Sequence, residues 1–443
     1  MNFFKRVAFT LKNSLYREGV EVKLSEQMSA AITKWDNLYR DDSRLSLASA
    51  IAAETARLAT LGIKSEITGA DRGEYLNGQY QKVIDDIRNV TEVAAALGGV
   101  VLKPYVSGNE IKVSVIKAEN FIPTEFNESG EIIGAAFLER FYSGKKVYTR
   151  IEQHNFENGE YVIRSNTYVG DDDRELGKSI PIKETVWKDI EPVVTVSGIK
   201  SPLFSYFKMP MANFIDSGSP LGVSVYARSC DLIQDAEEQY KRLLWEYESG
   251  ERALYVDESA MRRDAGGNCV IPDKRLYRLL NSGDDTLFAD WTPEIRERQI
   301  INGFNEILRR IEFNVGLAYG TLSDVSNVDR TAEEIKVSKQ RSYAHICEVQ
   351  EALKNALSRL VDAMNCFADL YGLAKKKDYS ISFSFDDGVI ADKKEEFEER
   401  MRLLDSGVIM PWEMRVWYLG EDEKKAIDTL QNPMSVDGKE EKL

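Results

Sequence analysis

From Thr331 to Tyr371 the chain runs without a proline or a glycine. Ile346, Val349, Leu353, Ala356, Leu360, Met364, Phe367 and Leu370 recur there every three or four residues, the period of one helix face. Thr331 and Glu334 read as a capping box, in which each side chain satisfies an exposed amide near the other. At 1.5 Å per residue, about forty residues make a rod of roughly 60 Å, longer than an ordinary domain helix. Any fold for this chain has to accommodate that rod.

The rod is preceded by a second strong pattern and a soft break. "TPEIRERQIINGFNEILRRIEFNVGL" predicts a helix with Pro293 in its first turn and a seam of Ile300, Phe304, Ile307, Ile311 and Val315. Between the two lies "GLAYGTLSDVSNVDRTAEEI", a dozen or so small and polar residues. A plain helix connection needs only about 2 to 8 residues, so length alone favours a special role only mildly. Further back, "GVSVYARSCDLIQDAEEQYKRLLWEYESG" predicts a helix from Gly222 to Gly250 with Tyr226, Cys230, Ile233, Ala236, Tyr240, Leu244 and Tyr247 on one face. Residues 251–291 are short, mixed and turn-rich.

Residues 1–97 read mainly as helix, with stops at Gly62 and at Gly98-Gly99. From about 98 to 170 the period changes to two, broken at Ser107-Gly108, Ser143-Gly144 and Asn158-Gly159, which predicts an antiparallel meander. Residues up to 221 are punctuated by proline and less legible. After the rod, "ISFSFDDG" predicts a strand, short capped helices follow, and 432–443 read as a frayed tail. The fold class expected is α+β, mainly helical.

Composition excludes more than it selects. The chain is 43% hydrophobic over 443 residues, enough for a sizeable core and two or three domains. With 58 Lys plus Arg against 73 Asp plus Glu, the net charge is -15, which disfavours adhesive nucleic-acid binding. Four scattered cysteines without a CxxC pair predict reduced thiols. No signal peptide and no run of about 18 apolar residues is found, so a soluble, intracellular product without a membrane partner is expected. "GDDDRELGKS" misses the spacing of a phosphate-cradling loop, and its three aspartates would repel a nucleotide. His154 and His345 have no metal-ligand neighbours at useful spacing. Asp386, Asp387 and Asp392 read as turn and cap residues. No cofactor, metal or catalytic residue is predicted.

The order helix, turn-rich module, returning helix, polar loop, long helix resembles the portal proteins of tailed bacteriophages, in particular of siphophages of Gram-positive hosts. "WDNLY", "EVAAALGGVVLKPYVSGNEIKVSVIKAENFIPTEFNESGEIIGAAFLER", "TPEIRERQI", "RTAEEI" and "FDDGVIADKKEEFEERMRLLDSGVIMPWEMR" carry the likeness over nearly the whole chain. It implies a non-enzymatic ring at one capsid vertex, of about twelve copies. Residues 1–221 would be the amino-terminal wing, 222–250 and 292–317 the stem helices, and 251–291 the clip. Residues 318–330 would be the tunnel loop, 331–372 the long wing helix, and 373–431 the rest of the wing with a small crown.

The same resemblance names the expected site residues and partners. Gly320, Thr321, Leu322, Ser323, Asp324, Val325, Ser326 and Asn327 would face double-stranded DNA in the channel without reading its bases. Lys336, Lys339 and Arg341 are candidates to touch phosphate, although a solvated helix face is the plainer reading of such a cluster. Arg262, Arg263, Asp264, Asn268, Asp273 and Lys274 in the clip would meet the terminase large subunit and later a head-completion or adaptor protein. Major capsid and scaffolding proteins are implied too, with a virion location and assembly in host cytoplasm. An acidic wall suits a conduit, because each neutralised phosphate adds affinity and would slow DNA. Two alternatives stand: another helical assembly protein of tail or scaffold, and a packaging-motor enzyme.

Overall fold

Gly98 takes a left-handed conformation (φ 84°) and ends the helix before it, and the strand that starts at Gly99 pairs on both of its edges. That turn opens the sheet region in the computed structural model. The model describes residues 22–172, 176–251, 253–257, 261–266, 268–270, 277–280, 288–291, 293–324, 332–385, 393–419, 423, 426–427 and 430. The chain divides into a large unit, 1–385, and a small one, 386–443.

Four helices are described before Gly99: α1 (Glu26–Tyr39), α2 (Leu47–Ala59), α3 (Arg72–Asp85) and α4 (Ile87–Leu97). Ser25 caps α1 by accepting the Met28 amide at 3.2 Å, a bond of the kind worth about 1 kcal/mol. The single helical pattern expected over residues 75–97 is broken at Asp86 into α3 and α4. Between α2 and α3 lies a strand that the helical reading missed, β1 (Lys64–Thr68), paired with β14 (Ser380–Ser384).

The expected meander is split between two sheets. β2 (Gly99–Ser107) and β3 (Glu110–Lys117) join β10 (Ser205–Lys208) in the order β10-β2-β3. β4 (Phe121–Phe126), β5 (Ile132–Ser143), β6 (Lys146–Glu157), β7 (Glu160–Gly170) and β8 (Lys178–Ile180) form the second sheet, with β9 (Val193–Val196) also on β7. Asn158 and Gly159 both have positive φ, 52° and 83°, the type I′ geometry that matches strand twist. "GDDDRELGKS" spans the connection from β7 to β8; Gly177 has φ 73°, and a side chain there would strike the Val169 carbonyl oxygen at 1.9 Å.

The long rod is α7 (Ala332–Leu370), and it packs across β10, β2 and β3 and against α2 and α3. Ile346, Val349, Leu353, Ala356, Leu360 and Met364 are buried as the periodicity requires. The seam then shifts to Ala368, leaving Phe367 half-buried and Leu370 exposed. Thr331 and the Glu334 side chain lie outside the described residues, as do Asp386, Asp387 and Asp392.

His154 lies inside the sheet domain in a satisfied polar network. Tyr161 accepts the Leu203 amide at 3.0 Å and turns its own proton to His154 Nδ1 at 2.9 Å. His154 Nε2 then donates to Glu152 at 2.8 Å, and Lys103 and Arg150 pair with the same carboxylate. Burial pushes the His154 pKa down, opposed by Glu152. Burial alone would raise Glu152, yet Lys103, His154 and Arg150 hold it well below the usual carboxylate range. Such a network specifies one arrangement because any unpaired member would be costly in this interior. His154 itself is buried.

Helix α5 (Cys230–Ser249) starts eight residues later than the pattern from Gly222 implied. Residues 221–226 are mainly buried irregular chain, with Tyr226 donating to the Trp35 carbonyl at 2.9 Å. Helix α6 (Glu297–Val315) likewise starts after Pro293, because the Arg296 amide is taken by Glu246 at 3.0 Å. Between them β11 (Ala253–Asp257) pairs in parallel with β12 (Tyr277–Leu280) and antiparallel with β13 (Phe288–Trp291). In the small unit α8 (Lys393–Asp405) and α9 (Pro411–Leu419) pack together, with Arg400 over the Trp417 ring.

Candidate functional site

The helix pair α5 and α6 changes character along its length. At one end Ile233, Ala236, Leu308, Ile311 and Val315 are buried. Toward the small sheet, Tyr240, Leu244, Ile300, Phe304 and Ile307 are only half-buried, and Trp245 is 61% and Tyr247 38% exposed. A groove of about 420 Å³ runs between the helices there, lined by Gln239, Arg242, Trp245, Glu246, Gln299 and Gly303 among others. Within one chain, apolar periodicity continues further than apolar burial.

Glu246 and Arg296 tie that end together. The carboxylate accepts the Arg296 amide, Nε at 3.1 Å and Nη2 at 2.9 Å. These bonds pull the Glu246 pKa down to about 2. Bidentate pairs of this kind hold geometry as well as charge.

Beyond the pair, Asp264 organises a tight turn. Its carboxylate accepts the Gly266 amide at 2.8 Å and the Asn268 amide at 2.9 Å, while Arg263 bridges to Cys269 in the backbone. Arg262 and Arg263 are exposed. Asp273 and Lys274 lie outside the described residues.

The polar break after α6 begins as ordered chain. Gly316 (φ 78°) caps the helix, and the His345 ring lies where its side chain would be, 3.0 Å from an added Cβ. Burial lowers the pKa of His345. Glu312, fully buried, gathers the next residues: one oxygen accepts the amides of Gly320 at 3.1 Å, Leu322 at 2.6 Å and Ser323 at 2.9 Å. The other oxygen accepts the Ser323 hydroxyl at 2.9 Å. Asn305, 5% exposed, accepts the Asp324 amide at 3.1 Å.

Thr321 and Asp324 are therefore the exposed members of the predicted loop, Gly320 and Leu322 are half-buried and Ser323 is buried. Val325, Ser326 and Asn327 lie outside the described residues. Of the predicted basic trio, Lys339 is exposed. Arg341 stacks on Phe313 at 4.5 Å and Tyr319 at 5.4 Å, which places it at the root of the loop. The Lys336 side chain is not described. Glu312 and Asn305 escaped the sequence reading: their partners are backbone amides, which leave no mark on residue type.

The geometry so far is a helix pair joined by a small sheet module and followed by an anchored loop and a long helix. A family profile described as "Phage portal protein, SPP1 Gp6-like" matches residues 75–414, spanning all of these elements. The chain belongs to that family. It is thus a portal protein, a structural component of the virion, and the family is one of structural proteins rather than enzymes. The resemblance read from the residues is confirmed at that level. No curated protein matches the chain. Among solved structures, a chain of "Neck of native GTA particle computed with C12 symmetry" aligns at 11% identity and a TM-score of 0.37, covering 83% of this portal protein and 88% of itself. That overlap is too loose to carry an inference. Among the described residues no cluster of His, Cys, Asp or Glu could hold a metal, and no helix is long and apolar enough to cross a membrane.

Proposed function

We propose that this portal protein assembles as a cyclic ring of about twelve copies and conducts double-stranded DNA into and out of the capsid. The observation that carries the reading is the helix pair. Its distal half keeps the apolar period but leaves Trp245 and Tyr247 exposed, and Ile295 just before α6 is exposed as well, surface that copies packed side by side would cover. Head-to-tail contacts close into a ring when the rotation between copies divides a full turn.

In this reading α5 and α6 form the stem, and the module around β11 to β13 is the clip. The clip, with Arg262, Arg263, Asp264 and Asn268, docks the terminase large subunit and afterwards a head-completion protein. The loop from Ala318 faces the channel, α7 runs through the wing, and major capsid and scaffolding proteins surround the ring. The net charge of -15 suits a wall along which a polyanion slides rather than sticks.

Native mass and particle images of the purified chain test the reading. A ring with a DNA-wide hole supports it. A filament or a particle without a hole moves the chain to another role in assembly, and a chain that stays monomeric even with its capsid and scaffolding partners overturns the ring.

A further inference from the structure

We propose that Glu312, helped by Asn305, clamps the first half of the loop to α6, so that Ala318–Asp324 behaves as an extension of that helix and its position follows α6 rather than α7. Glu312 is the positioning residue; it acts through the loop backbone.

The argument is one of bond number, burial and direction. Glu312 is fully buried and accepts from three amides and one hydroxyl of residues 320–323. A carboxylate in a low-dielectric interior is tolerable only when its lone pairs are filled, and filled in this way it makes short, charge-assisted bonds. The converging amides of Leu322 and Ser323 form a small anion nest, with an α6 side chain as the anion. Asn305, two helical turns before Glu312, fixes the Asp324 amide at the far end. Both anchors belong to α6. Among the described residues, the contacts seen from α7 are of another kind: Arg341 lies over the Phe313 and Tyr319 rings, its bond to the Leu317 carbonyl is 3.5 Å, and the His345 ring rests on Gly316. A sliding of α7 shifts a stacked guanidinium and keeps much of its contact, whereas separating the loop from α6 strands a buried charge without its hydrogen bonds.

For the ring reading, on which this consequence rests, any tilt of the stem helix would be delivered to the loop. The clamp itself needs no ring.

Hydrogen exchange on the purified full chain decides it. In the parent, the segment 318–324 should exchange as slowly as the last turns of α6. In Glu312→Ala it should exchange about tenfold faster or more. Glu312→Gln keeps one acceptor oxygen for the three amides, so its exchange should stay within about threefold of the parent. Segments of α7 between 346 and 364 should not change. A parent loop that exchanges at the unstructured rate, or a Glu312→Ala loop as protected as the parent, overturns the clamp. If Glu312→Ala does not fold, Asn305→Ala carries the test: faster exchange confined to Asp324 and its neighbours supports the clamp, and unchanged exchange overturns it. Native mass measured on the same variants keeps the two readings apart, since a clamp that fails in an intact ring leaves the ring standing. A clamp that holds in a chain that never forms rings leaves only the ring overturned.

Discussion

Gly98 and Gly222 meet backbone to backbone: a Cβ built on Gly222 would stand 2.0 Å from the Gly98 carbonyl oxygen, and one on Gly98 would stand 2.6 Å from that of Gly222. This contact packs the turn before β2 against the irregular segment that leads to α5. Gly98 also has φ 84°, which side chains disfavour. The Met209 amide bonds the Gly98 carbonyl at 3.0 Å and the Val225 amide bonds the Ala95 carbonyl at 3.0 Å, so both segments are held where they meet. Gly222→Ala is expected to destabilise the protein by about 2 kcal/mol or more, the range of an overpacked interior site. Chemical denaturation measures it; a loss below about 0.5 kcal/mol would show that the segments separate easily.

The Glu246–Arg296 tie has a signature in pH. Its folded carboxyl titrates at about 2 against an ordinary 4.5. A depressed carboxylate contributes stability that is complete above the unfolded value and fades as pH falls through the folded one. The tie should therefore be constant from neutral pH to about 5 and lost progressively from there toward 2. In Arg296→Ala the guanidinium is gone but the amide of residue 296 still donates, so the Glu246 carboxyl should titrate clearly above about 2 yet stay below its ordinary 4.5, as followed by carbon NMR of labelled glutamate. An unchanged titration would show that Arg296 is not what holds it down.

His154 should act in the opposite pH region. Its folded pKa is lowered from 6.5 by burial, so the folded state resists a proton that the unfolded chain accepts. Stability should be full above the unfolded value of 6.5 and decline as pH falls below it. His345 is lowered by burial too and adds a slope of the same sign. His154→Gln can still accept from Tyr161 and donate to Glu152 but carries no titrating proton. It should reduce, not abolish, the loss of urea midpoint between pH 7 and pH 5. A slope equal to the parent's would assign the effect elsewhere.

What the residues revealed, and what they concealed, follows from the range of the interactions. α7 was legible because its seam repeats every turn against one continuous sheet, and the Asn158-Gly159 hairpin because only certain residues accept two positive φ angles. β1 was not legible: it is five residues long and its pairing partner β14 lies some three hundred residues away. The late starts of α5 and α6 were hidden for a related reason. Tyr226 keeps the helical spacing yet is held by Trp35, and Pro293 suits a first turn yet gives way to the Glu246 bond at Arg296. In the loop, small polar residues announced a break, whereas the buried acid that organises it looks in sequence like any surface glutamate.

That buried acid changes how the loop should be shortened. Deleting Gly320–Asn327 would remove the partners of Glu312 along with the loop and leave a buried carboxylate unfilled, a loss of several kcal/mol. Deleting only Ser326 and Asn327 spares the residues bonded to Glu312 and Asn305. The larger deletion is therefore expected to lower the thermal midpoint by several degrees. The smaller deletion should leave midpoint and native mass near the parent's and reduce packaged or retained DNA. Thermal unfolding, native mass and DNA content of assembled particles separate the outcomes. Equal DNA content in the smaller deletion would mean that this loop does not face the DNA, and equal midpoints in the two deletions would mean that Glu312 finds other partners.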